Sequence, residues 1–433
     1  MSDNRKDIIR LQEHQPFVNP KGWGNGRDYS SRMEYLVGLG LTFEEPDFLK
    51  EPKFLGISNW CASYYIGAAW LVPDELAVVV TPKQPYIDFV QMFLAALEID
   101  TQKESNYFAQ CYGIQFDEPQ IETHEELNQM TPLLVLHFIS LLERLVKHGL
   151  KKDYLLHEEN LKAKVKGRIL FGKHLKTNVF QQRSDRMYCQ YQEYTDDVPE
   201  NRLLKKALLF SERILDRCDS LKRQSQYPDL QLRLNRLNAS FSHISDDIEP
   251  YQVQKLSSNK LFKGYKEAIK VAKMILRRFD YSIREASSEQ QSTPPFWIDM
   301  ARLYEMWVLC KLQKCSINPV LFQEIGFYGR QVADFVIREE NLILDAKYKP
   351  KYMEDWVDID DIRELSGNAR DERLLPNLPE DYTPRCIILY PGNTDELKSE
   401  SDILFEQQDQ KIPHYRNFYK ISVPLPVYND EHK

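Results

Sequence analysis

The stretch that most constrains this chain runs from Ile325 to Lys351, IGFYGRQVADFVIREENLILDAKYKPK. Two β-branched, apolar runs flank the polar tetrapeptide Arg338-Glu339-Glu340-Asn341, the pattern of a β-hairpin. Folding the stretch between Glu339 and Glu340 sets Ile337 opposite Leu342 and Asp334 opposite Asp345. Facing side chains in an antiparallel pair lie on one side of the sheet, with Cβ atoms about 5 Å apart. The period of two adds Lys347 to that side, so a pair of acids and an amine share one exposed patch. Phe335, Ile337, Leu342, Leu344, Ala346 and Tyr348 point the other way, into a core.

Carboxylates this close repel unless a proton or a cation lies between them. Their all-oxygen donor set suits a hard divalent ion, Mg²⁺ or Mn²⁺ in its place, acting as a Lewis acid. Lys347 then orients or deprotonates an attacking water, or offsets charge building on phosphorus. A solvated edge hairpin is the ordinary reading of a bare D-x-K, and the facing Asp334 within so apolar a hairpin is what favours a site. Upstream, Phe296 to Lys314 follows Ser-Thr-Pro-Pro and reads as a helix, with Met300, Leu303, Tyr304, Trp307 and Val308 at helical spacing. Glu305 sits within that apolar pattern, where an unpaired carboxylate is costly. It either pairs with a neighbouring Arg or Lys or supports the hairpin acids.

The order helix-Glu, strand-Asp, strand-Asp-x-Lys, carried by LYEMWV, VADFVI and LILDAKYK, resembles the PD-(D/E)XK nuclease superfamily. Within it the chain is similar to the McrC family, the nuclease subunit of modification-dependent restriction systems. The resemblance implies Asp334, Asp345 and Lys347 as the catalytic set with Glu305 as a supporting acid, and Asp334, Asp345 and Glu305 around the metal. Ala333 replaces the proline of the superfamily's name, and the second acid is Asp rather than Glu. Asp361 to Arg370 looks like the family's post-motif helix, with Glu364 where Gln is expected. VKGRILFGKHLK, the aromatic run from Tyr188 to Tyr194 and Asn201-Arg202-Leu203 resemble the family's central signature, and YYIGAAWL and AVVVTPK its N-terminal part. The resemblance also implies a separate AAA+ GTPase, a McrB-like hexamer, that this chain stimulates and that recognises methylated double-stranded DNA.

Three segments follow from the pattern. Residues 1–130 read as a β-rich, partner-docking domain, with strands at 64–71 and 76–81 and a helix at 86–97. Gly22-Trp-Gly-Asn-Gly-Arg27 has no preceding strand and no following lysine, so it reads as a loop rather than a phosphate cradle. Residues 131–285 read as helical, opening at Thr131-Pro132 with an apolar helix closed by Gly149, in which His137 is a core residue. Residues 284–295 end in Pro-Pro and form a boundary, and 293–433 form the nuclease core, a mixed sheet flanked by helices. The fold class is thus α/β, in a multidomain α+β arrangement.

Net charge is −8, so positive charge must be concentrated locally or DNA capture left to a partner. The densest basic run is Leu161–Leu170, whose alternation predicts a strand with Lys162, Lys164, Lys166 and Arg168 on one face and Lys173 just beyond. These residues, with Arg330 and Lys349, are candidate contacts to DNA or partner. Gly167 to Lys173 matches G-x-x-x-x-G-K, but His174 replaces the Ser or Thr that holds Mg²⁺, so the chain binds no nucleotide. Seven scattered cysteines without C-x-x-C, nine histidines without H-E-x-x-H and a polar first ten residues point to a cytoplasmic chain without zinc. The longest apolar window is far below the roughly 20 residues of a membrane span. The McrC resemblance makes that cytoplasm prokaryotic. Three functions stay open: a metal-dependent endonuclease subunit, a regulatory or scaffold subunit that docks in an NTPase ring and stimulates it without cutting, and a nuclease of another defence or repair pathway that acts alone.

Overall fold

Along the chain, apolar runs of period two become strands and those of period 3.6 become helices. The first part holds β1 (Asp7–Gln12), β2 (Tyr65–Val72), β3 (Leu76–Thr81), α1 (Phe89–Lys103), β4 (Tyr112–Ile114) and β5 (Ile121–Thr123). The middle holds α2 (Met130–His148), β6 (Asp153–Lys162), β7 (Arg168–Ile169), β8 (Arg186–Thr195), α3 (Pro199–Arg217), α4 (Tyr227–Ser240) and α5 (Lys263–Arg284). The last part holds β9 (Gln291–Thr293), β10 (Phe296–Asp299), α6 (Met300–Cys315), β11 (Leu321–Ile325), β12 (Val332–Ile337) and β13 (Leu342–Ala346), then α7 (Ile359–Asn368), β14 (Arg385–Gly392) and β15 (Phe418–Pro424). This is a computed structural model. It describes residues 7–16, 50–58, 61–84, 87–103, 107–115, 118–123, 130–217, 227–253, 263–284, 291–329, 331–354, 356–376, 378–379, 382–392 and 411–427. The glycine cluster at 22–27 lies outside them. Among the described residues no helix is long and apolar enough to cross a membrane.

The fold is mixed α/β, in two compact units: Met1–Gln129 together with Glu289–Lys433, and Met130–Ser288. The first and last of the three sequence-based segments therefore share a unit, because one sheet, in the order β1-β3-β2-β10-β4, takes strands from both. Its strand β10 occupies the residues expected to open a helix. Phe296 and Ile298 are buried between β2 and β4, and Asp299 stops the strand by capping α6, accepting the N–H of Arg302 at 3.0 Å. Gly67, at φ 141°, leaves room for the Phe296 carbonyl, which a Cβ there would meet at 2.1 Å.

The second sheet of this unit runs β11-β12-β13-β14-β15. The β12–β13 hairpin pairs Ile337 with Leu342, Val336 with Ile343 and Phe335 with Leu344, the register read from the sequence. A 3₁₀ turn over Arg338–Glu340 and Asn341 in the left-handed region, which Asn tolerates well, close it. Beyond β13 the pairing turns parallel, to β14 and then β15. Every residue of β13 is buried. Ile362 and Leu365 of α7 join Val336 and Ile343 in one apolar cluster, and α6 also packs on β13. Leu342, Ile343 and Leu344 are fully buried, each contributing on the order of 2 kcal/mol.

The other unit packs α2, α3 and α5 together beside a sheet ordered β6-β8-β7. His137 is a core residue here, buried, its Nε2 3.5 Å from Glu267. Asn201 is fully buried, donating to the Lys151 and Asp196 carbonyls at 2.9 and 2.7 Å and accepting from Tyr265 Oη at 2.8 Å. The basic strand expected at 161–170 is not one strand. Ala163 and Gly167 take positive φ, at 52° and 68°, so β6 ends at Lys162 and β7 begins only at Arg168.

Candidate active site

The acids stand where β12 and β13 reach the end of their pairing. One step beyond Phe335–Leu344, the register sets Asp334 opposite Asp345, and their carboxyl groups come within hydrogen-bonding distance. Asp334 Oδ2 accepts the backbone N–H of Ala346 at 2.9 Å, a cross-strand bond that holds its carboxyl group in place. On the far side β11 sets Gln323 against Asp334, between the pairs Phe322–Phe335 and Glu324–Ala333. Gln323 Nε2 donates to Glu305 Oε2 at 3.1 Å and to Asp334 Oδ1 at 3.4 Å. Glu305 thus reaches the group from α6 but meets the amide first. Asp334, Asp345 and Lys347 are together as expected, yet recessed rather than on an exposed patch. Asp345 is 6% exposed, the Lys347 side chain 18%, and Glu364 forms the rim at 55%.

Burial makes each charge expensive and the neighbours add to it. Burial, then the Glu305 charge, raises Asp334 to about 6. Burial, then the Asp299 and Asp345 charges, raises Glu305 to about 7, and burial with Asp334 pushes Asp345 well above the carboxylate range. Lys347 lies 2.9 Å from Asp345 Oδ2 and 3.0 Å from Glu364 Oε2. Burial opposes its charge, but the Asp345 and Glu364 carboxylates outweigh that and hold the ammonium well above its usual range. An ammonium in this place can orient a water and offset negative charge.

Helix α7 is fastened to the end of β13 by the next lysine. Asp358 caps α7, accepting the N–H of Asp360 at 3.0 Å. Lys349 Nζ donates to Asp358 at 2.8 Å and to both oxygens of Asp361 at 2.9 and 2.8 Å, and Tyr352 Oη donates to Asp361 at 2.6 Å. Lys349, expected as a DNA or partner contact, is therefore engaged internally, because two acids of α7 lie within its reach. Arg330 lies outside the described residues. Lys162, Lys164, Lys166, Arg168 and Lys173 belong to the other unit and are exposed. They do not line one face: Lys166 sits over the Tyr191 ring at 4.1 Å and 3.5 Å from Glu193, and Lys173 pairs with Glu158.

A metal can be weighed against this donor set. Among the described residues no three His, Cys, Asp or Glu side chains are already gathered as a metal shell. Asp334 and Asp345 form a pair, and the Gln323 amide keeps Glu305 off it. Asp345 Oδ2 is buried and takes an ion pair from Lys347 without an aligned hydrogen bond. Two crowded, desolvated carboxyl groups with an oxygen left short of donors fit a hard divalent cation.

A family model described as McrBC 5-methylcytosine restriction system component matches residues 65–364, more than half of the chain. The chain belongs to this McrBC family. The match takes in Glu305, Gln323, Asp334, Asp345 and Lys347 and ends at Glu364. The comparison with curated proteins found no match. Among solved structures, the chain is similar to the refined half-complex from the tetradecameric assembly of Thermococcus gammatolerans McrB AAA+ hexamers with bound McrC. Identity is 15% and the TM-score 0.38, over 96% of this chain and 94% of that one. It is also similar to the cryo-EM structure of the Thermococcus gammatolerans McrBC complex, at 15% identity and a TM-score of 0.31, over 71% and 87%.

Two residues of this McrBC-family chain escaped the sequence reading. Glu364 stood out there only as a departure from an expected Gln, and here it is the second carboxylate on Lys347. Gln323 stood in no motif. Its signal was the turn between Ile325 and Val332, which sets 323 against 334 once β11 and β12 are paired.

Proposed function

We propose that this McrBC-family chain is the metal-dependent endonuclease subunit of a 5-methylcytosine-directed restriction system, with a PD-(D/E)XK-type core built on β11–β15, α6 and α7. The observation that carries the reading is the recessed Asp334–Asp345 pair with Lys347 beside it, at the ends of neighbouring strands. Asp334 and Asp345 would hold the cation, which supplies Lewis-acid activation of water and of the phosphate. The protein's own groups do the rest. Ala346 N–H fixes the Asp334 carboxyl; the Lys347 ammonium, steadied by Asp345 and Glu364, faces the charge that grows on the phosphate oxygens. Lys349 and Asp361 keep α7, and with it Glu364, against β13.

The family's description as a restriction-system component supports a division of labour. Recognition and movement of methylated duplex DNA then fall to a separate AAA+ GTPase that this chain stimulates. The test is cleavage of 5-methylcytosine DNA by the reconstituted pair, with and without Mg²⁺, for the wild type and Asp345→Ala.

A regulatory, non-cutting role is favoured by one observation: Asp345 is only 6% exposed. Partner GTPase rates and DNA cutting, measured with wild type and Lys347→Ala, separate the two. Stimulated GTPase with uncut DNA in both cases supports the regulatory role.

A further inference from the structure

Gln323 is a neutral side chain that touches two acids of the site, Glu305 and Asp334, and its backbone is held in a conformation that side chains avoid. It sits inside strand β11 at φ 53°, in the left-handed region, which costs a residue with a Cβ about 1–2 kcal/mol. Strain of this kind persists where the surroundings demand it and gathers at functional sites. The strand places Gln323 opposite Asp334, and its amide nitrogen bridges Glu305 and Asp334.

We propose that the Gln323 side-chain amide, rather than the Glu305 carboxylate, is the third oxygen donor of a divalent-cation site formed with Asp334 and Asp345. This rests on the reading that those two acids hold a metal. A terminal amide turns end for end with little torsional resistance. The turn presents Oε1 where Nε2 now stands, and an amide oxygen is a good ligand for a hard cation. Position points the same way: the amide stands between Glu305 and Asp334, within hydrogen-bonding reach of both, so it meets an ion held on Asp334 before Glu305 does. In the free protein the same amide acts as a placeholder, donating hydrogens to the oxygens that repel each other.

The test titrates Mn²⁺ into the metal-stripped full chain, reading bound ion by paramagnetic resonance and calorimetry, for wild type, Gln323→Leu, Gln323→Glu, Glu305→Gln and Asp345→Asn. Outer-shell partners alone are worth roughly 10–100-fold in metal affinity, and a direct ligand no less. Gln323→Leu is therefore expected to bind at least about tenfold more weakly, Gln323→Glu as tightly as wild type or tighter, and Glu305→Gln within about threefold of it. Gln323→Leu binding like wild type, or Glu305→Gln losing as much as Asp345→Asn, overturns the proposal. Should Gln323→Leu not fold, Gln323→Glu decides alone: binding about tenfold weaker than wild type overturns it. Should wild type and Asp345→Asn bind equally or not at all, the two-acid metal reading falls as well, a result distinct from a defect confined to Gln323.

Discussion

Replacing Asp334 with Asn keeps the shape of the side chain and removes a buried charge. Asp334 rises from 3.8 to about 6 on folding, so keeping it ionised in the folded, metal-free protein costs about 3 kcal/mol. The sign follows from the direction. A carboxyl raised on folding contributes stability that is fully present below its unfolded value and is lost as pH climbs through the folded one. Wild type therefore loses stability relative to Asp334→Asn from about pH 4 to about pH 7. Between pH 5 and pH 8 the remaining part of that loss is about 1.5 kcal/mol. Weakening the bonds from Ala346 N–H and Gln323 shifts the variant by a pH-independent amount of about 1 kcal/mol. Urea unfolding in EDTA at the two pH values measures the difference directly. The variant should gain on wild type by about 1.5 kcal/mol over that interval, and saturating Mg²⁺ at pH 8 should reverse its advantage, because only wild type keeps both carboxylates for the ion. A difference that stays constant or shrinks with rising pH refutes the reasoning, since the charge would then not be buried at a cost.

Glu364→Gln should lower cleavage severalfold with little change in DNA affinity, because it frees Lys347 from one of the three carboxylates around it; single-turnover cutting against filter binding checks both. Lys349→Ala should destabilise by about 1 kcal/mol, as its ion pairs are partly exposed, and should leave the salt dependence of DNA binding unchanged. An altered salt slope would return Lys349 to the contacts. Asn201→Ala, in the other unit, should cost about 2–4 kcal/mol by removing the acceptor of the Tyr265 hydroxyl and the donors to the Lys151 and Asp196 carbonyls. Cleavage below its unfolding transition should match wild type.

The hairpin was legible because a short turn and strict alternation leave one register that buries every large apolar side chain. From that register the closeness of Asp334, Asp345 and Lys347 could be computed. Depth could not, since what covers β13 on its acid-bearing face is α7, brought back by a connection whose path the pattern does not show. The segment from Phe296 read as helix because its apolar spacing continues into α6. Its pairing with Gly67 and Gly113 is a long-range event that local periodicity cannot register. The basic run failed for a different reason. Its alternation is genuine, but left-handed backbone at Ala163 and Gly167 breaks the strand that the alternation implied.

Asp345→Ala is set beside wild type in methylated duplex DNA and Mg²⁺ with a McrB-type AAA+ GTPase, nucleotide turnover being followed in the same tube. The variant is expected to stimulate GTP hydrolysis while its DNA stays intact. Cutting at the wild-type rate would remove Asp345, and with it the recessed acid pair, from the chemistry.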